Sequence, residues 1–153
     1  MCNIFTPCFE FSEQIKKEIS SLQKTRLLTA RKYTLRDEFS WETFFVDFYA
    51  FTRPPNERKN YSSSQVYQKA IELEKLGKQI LVFEVSVEDP EMLSYTESFG
   101  PCVPKTLDEY KVSLRKRMKN VTSRHNVMHV FDTDLYNGDI KRFLQEHCFF
   151  EEV

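Results

Sequence analysis

The chain is predicted to fold as an α+β (or α/β) protein, with one mixed sheet of about four strands packed by helices. Three observations lead there. Segments with apolar residues three and four apart alternate with runs rich in β-branched and aromatic residues, in the order α-β-β-α-β-α-β-α. Of the 153 residues, 41% are hydrophobic and 14% aromatic, enough bulky apolar surface to offset the entropy of ordering a chain. Glycine is rare: Gly77, Gly100 and Gly138 are the only three, and each falls where an element should end or turn. A chain of this length is expected to form a single domain over residues 1–153.

The first element expected is a helix over residues 12–24. Ser12 is placed to cap it, Glu13 suits the positive end of the helix dipole, and Phe11, Ile15, Ile19 and Leu22 recur at helical spacing. Residues 26–35 follow as a strand, with Leu27, Thr29, Arg31, Tyr33 and Leu35 on one face. The run WETFFVDFYAFT, residues 41–52, reads as a second strand. Phe44, Val46, Phe48 and Ala50 alternate with Phe45, Tyr49 and Phe51, so both faces are apolar and the strand belongs inside a layered fold. Pro54 and Pro55 end it, because proline cannot continue a ladder.

After a polar loop, Ser62, Ser63 and Ser64 offer caps for a helix over residues 65–76. Val66, Ala70, Leu73 and Leu76 form its apolar stripe and Gly77 stops it. Residues 80–88 are a strand closed by Asp89-Pro90, and residues 91–104 a loop. The next helix spans residues 106–124. Thr106 and Glu109 have capping-box spacing, and Leu107, Tyr110, Leu114, Met118 and Val121 form a buried stripe. Residues 126–132 are a short strand and residues 136–138 a turn. The last helix spans 139–148, with Ile140, Phe143, Leu144 and His147 on one side.

The helix over 106–124 carries the sharpest functional signal. Lys111, Arg115, Lys116, Arg117, Lys119 and Arg124 lie on it with no acid among them, in a chain whose formal net charge is −1. Attraction to a partner must therefore come from a patch rather than from global charge. The expectation is a non-enzymatic intracellular binding or adaptor module. Lys111, Arg115, Lys116, Lys119 and Arg124 would meet an acidic protein surface, in preference to nucleic acid because the whole chain is not basic. A solvated face that only complements its own dipole is the competing account. Asp132, Asp134 and Asp139 follow closely and are placed to neutralise the patch.

The alternative is a metal-dependent phosphodiesterase or nuclease. Asp47 and Glu84 sit inside predicted strands, where an acid is costly to bury unless paired or beside a metal. No proline precedes Asp47, and Ser86 stands where the PD-(D/E)xK pattern of nucleases has its lysine. No resident metal or other cofactor is expected, since phosphate-cradling glycine loops are absent and the cysteines at 2, 8, 102 and 148 lack CxxC or zinc-finger spacing. His125 and His129 flank a strand, too far apart to chelate one metal readily. The sparse cysteines imply reduced thiols. Neither a signal peptide nor a membrane-spanning run is expected.

Overall fold

A computed structural model describes residues 2–52, 63–88, 91–93, 103–121, 127–128 and 137–152. In chain order the elements are β1 (Cys2–Cys8), α1 (Ser12–Ser20), β2 (Thr25–Leu35), α2 (Trp41–Thr52), α3 (Ser63–Glu74), β3 (Gln79–Val87), β4 (Met92–Leu93), β5 (Val103–Pro104), α4 (Lys105–Met118), α5 (Asn137–His147) and β6 (Cys148–Glu152). The class is α+β. The main sheet has four strands in the order β1-β3-β2-β6, and every ladder is antiparallel. A second ladder pairs only β4 with β5.

Paired residues of an antiparallel ladder share a face, so the register assigns the core. Ile80 and Val82 of β3, Tyr33 and Leu35 of β2 and Phe5 of β1 point to one side. They pack with Trp41, Phe44 and Phe45 of α2, Ala70 and Leu73 of α3, and Phe143 and Leu144 of α5. Phe83, Val85 and Val87, with Cys8, point to the other side. They pack with Ile15 and Ile19 of α1 and Leu107, Tyr110, Leu114 and Met118 of α4. Helices therefore cover both faces, and α4 lies on the α1 side. A bulge between Leu27 and Thr29 keeps both ends of β2 in phase with this division.

Residues 41–52 are a helix, not the expected strand. Ser40 supplies the reason: its Oγ accepts the Thr43 N–H at 3.2 Å, and its carbonyl accepts the Phe44 N–H at 2.9 Å. That is an N-cap three residues ahead of its donor. Trp41, Phe44 and Phe45 are buried at helical spacing while Val46 is exposed. A run apolar on both sides of a strand is equally a helix buried along one face, and its 12 residues favour the helix.

Strands β1 and β6 occupy segments for which no strand is expected. Pro7 lies within β1, which the strand order places at a sheet edge, where a missing N–H is tolerated. Other expected boundaries shift. Helix α1 stops at Ser20, where Ser21 caps through its N–H and Lys24 turns the chain with φ of 56°. Residue Phe11, rather than Ser12, is its N-cap. Asn137 and Gly138 open α5 instead of forming a turn, and the chain passes straight from His147 into β6. Gly77 does end its helix, with φ of 95°. Of the strand expected at 126–132, the described part is Val127 and Met128, and Met128 makes an isolated bridge to Cys8. Residues 122–126 and 129–136, including Arg124, His125, His129, Asp132 and Asp134, lie outside the described residues.

The buried thiols have a chemical consequence. Cys8 and Cys148 are both free. Burial raises the Cys8 thiol well above its usual range and pushes Cys148 up to about 12. Thiolate is the reactive form, so neither should react with an alkylating reagent in the native protein. Site-resolved mass spectrometry should find both sites labelled only after denaturation.

Candidate functional site

Helix α4 begins one residue before the expected position, with Pro104 as its N-cap and no side-chain cap bond. The capping box is not formed. Glu109 instead lies 3.9 Å from Lys105, which also reaches Glu91 at 3.6 Å. The Lys105 N–H donates to the Glu91 carbonyl at 2.6 Å, tying the start of the helix to the strand β4 side. The expected apolar stripe is present: Leu107, Tyr110, Leu114 and Met118 are buried. The helix ends at Met118, and Val121 lies beyond it with 66% of its surface exposed.

The predicted cationic residues fall into three groups. Lys111 is only 12% exposed and pairs with Asp108 at 3.3 Å, an (i, i+3) contact on the same helix. Arg115 is half-buried, and its Nη2 donates to the Met128 carbonyl at 3.3 Å, which pins the segment after α4. These two are internal supports, not a free face. Arg117 pairs with Glu18 of α1. That carboxylate holds the guanidinium above its usual range, and burial, aided by the same Glu18, raises the neighbouring Tyr110 hydroxyl. Lys116 and Lys119 remain, both exposed and both without an ion pair among the described residues. Arg124 lies outside them.

Val112, Lys116 and Lys119 recur at four and three residues, so they share the outer face of α4. Val112 is 43% exposed there. Asp108, Glu109, Val112, Ser113, Lys116 and Arg117 line a shallow cleft of about 420 Å³. Around the helix, a second groove of about 380 Å³ runs between α1 and α4, lined by Lys17, Glu18, Ser21, Leu22, Tyr110 and Arg117. The Arg117–Glu18 pair forms the ridge between them, since Arg117 lines both.

The two acids are not on neighbouring strands. Asp47 lies on α2, where its Oδ2 is 3.1 Å from Nε2 of His147 at the end of α5. Glu84 lies on β3 and accepts the Thr29 hydroxyl at 3.3 Å. Among the described residues no group of three His, Cys, Asp or Glu side chains is arranged to hold a metal ion. His147 has no nitrogen to spare for a nucleophile. Its Nδ1 donates to the Phe143 carbonyl at 2.9 Å, and Nε2 faces Asp47. The ring stacks on Phe143 at 4.0 Å and also meets Phe39 and Phe44. This cluster ties α2 to α5. Two of its members are 100 residues apart, so only the sided pattern of residues 140–147 hinted at it.

Comparison with protein-family models, characterised proteins and solved structures finds no match to this chain.

Proposed function

We propose that the protein is a non-enzymatic binding module whose docking face is the outer side of α4, and that its partner is an acidic protein surface. The observation that carries this is the composition of that face. Lys116 and Lys119 stand exposed beside exposed Val112, with a cleft alongside. Exposed Glu109 on the same side is held by Lys105 at 3.9 Å, so Lys116 and Lys119 are the charges of this face left for an acidic partner. Mixed apolar and cationic character suits a protein interface better than a phosphate backbone, which selects for dense charge alone. Two buried, free thiols fit an intracellular setting. Among the described residues no helix is long and apolar enough to cross a membrane.

The test reverses only charges that support no fold contact: Lys116→Glu with Lys119→Glu. Binding of a fluorescent polyglutamate peptide should weaken by more than tenfold, while the thermal midpoint stays within a few degrees, as for surface substitutions. Unchanged affinity would refute the reading. Preferential, salt-steep binding of an oligonucleotide would replace the acidic protein by nucleic acid.

A further inference from the structure

The groove between α1 and α4 holds polar atoms that the docking face does not use. Its volume is about 380 Å³. Leu22 and the Tyr110 ring, both packed on the core beneath, give it an apolar wall. Glu18 enters from α1, Tyr110 from the buried stripe of α4, and the Arg117–Glu18 pair joins the two helices.

Two side-chain atoms of the groove residues are buried without a hydrogen bond: the Tyr110 hydroxyl and Oε2 of Glu18. Tyr110 as a whole is only 8% exposed. Arg117 lies close to the phenol, but a guanidinium only donates, so the Tyr110 proton is left without an acceptor. Arg117 engages Oε1 of Glu18 and leaves Oε2. The two atoms do not bond each other, and neither is open to bulk water. A buried polar atom without a partner is costly, and native proteins seldom keep two at one opening unless something else satisfies them. Their needs are opposite: Tyr110 has a proton to give, and Glu18 Oε2 takes one. A single hydroxyl group meets both, accepting from the phenol and donating to the carboxylate. Water would do the same, but would leave the apolar wall and the rim unused. At the rim stands Lys17, exposed and without an ion pair among the described residues.

We propose that this groove binds a small aromatic hydroxy acid. Its hydroxyl bridges Tyr110 and Glu18 Oε2, its ring lies on Leu22 and Tyr110, and its carboxylate meets Lys17. The charged acceptor favours an acidic donor, which makes the hydroxyl phenolic. The half-exposed Arg117 side chain, which lies against both buried atoms, is the group the ligand displaces to reach them.

Titration followed by amide NMR tests the proposal, with 4-hydroxybenzoate, benzoate and phenol as probes. 4-Hydroxybenzoate should shift the Glu18, Ser21, Leu22, Tyr110 and Arg117 amides saturably, with Kd on the order of 1 mM or tighter. Benzoate, which leaves both buried atoms unpaired, should bind about tenfold more weakly or worse. Lys17→Ala should weaken 4-hydroxybenzoate by about two- to fivefold and leave phenol unaffected. Tyr110→Phe keeps the ring and removes only a hydroxyl that makes no bond in the free protein. It should leave the thermal midpoint unchanged or raised, yet cost about tenfold in affinity for 4-hydroxybenzoate. Linear shifts without saturation, as for atoms satisfied by water alone, would overturn the proposal. So would equal affinities for benzoate and 4-hydroxybenzoate, or a Tyr110→Phe variant that binds as well as the parent. Lys116 and Lys119 take no part, so failure here leaves the docking face untouched.

Discussion

Trp41→Ala is expected to destabilise the protein by about 3–5 kcal/mol, the range for deleting a large aromatic from a packed core. Trp41 is fully enclosed, and its ring meets Phe9, Phe44 and Phe45 at centroid distances of 5.2–6.1 Å. Its Nε1 donates to the Gly77 carbonyl at 2.8 Å, so one side chain joins the start of α2 to the turn that ends α3. The Trp41 N–H also donates to Glu74 at 3.0 Å. Removing the ring therefore opens a cavity and strands a carbonyl together. Trp41→Phe separates the two effects. It keeps most of the apolar volume and loses the hydrogen bond, and should cost about 1–3 kcal/mol. Urea unfolding curves measure both. Near-equal losses for the two variants would mean that the Gly77 bond, not the packing, dominates.

The second large effect is an asymmetry at the α2–α5 joint. His147→Ala should cost about 2–4 kcal/mol, because it removes a buried ring from the Phe39, Phe44 and Phe143 cluster together with the Nδ1–H that donates to the Phe143 carbonyl. Asp47→Asn should cost under about 1 kcal/mol. The Asp47 side chain is 46% exposed, so water replaces much of what the imidazole provided. Equal, large losses for both variants would indicate that the pair behaves as a buried ion pair. Small losses for both would remove His147 from the core altogether.

Local signals in the sequence carried much of the fold and little of the site. The period of Ile15 and Ile19, the alternation in β3, and the stripe of Leu107, Tyr110, Leu114 and Met118 are properties of neighbouring residues, and each element forms over the core of its pattern, although the two helices stop short of their expected ends, at Ser20 and Met118. Helix α2 shows where such signals divide. Its apolar run is ambiguous by period, and the decisive residue is Ser40, one position outside it. The terminal strands β1 and β6 gain their stability from ladders to β3 and β2, residues distant in sequence, and Pro7 masks the first of them.

The same distinction sorts the cations of α4. Lys111 was recoverable, because Asp108 three residues before it is a standard helical partner. The roles of Arg115 and Arg117 were not. One depends on a backbone carbonyl at Met128 and the other on Glu18, which is 99 residues away. Likewise Asp47 drew attention as an acid within an apolar run, but its histidine partner belongs to a different end of the chain. What remains of the patch is narrower than the charge run implied and has a defined orientation, with Lys116 and Lys119 outward beside Val112.

The docking face is tested most directly by lysine footprinting of the protein with its partner captured from its own source. Brief acylation, read site by site, compares the free and bound forms. Lys116 and Lys119 should lose most of their reactivity on binding, while Lys24 and Lys78, on other surfaces, should keep theirs. Undiminished labelling of Lys116 and Lys119 in the complex would contradict the assignment of the outer face of α4 as the docking surface.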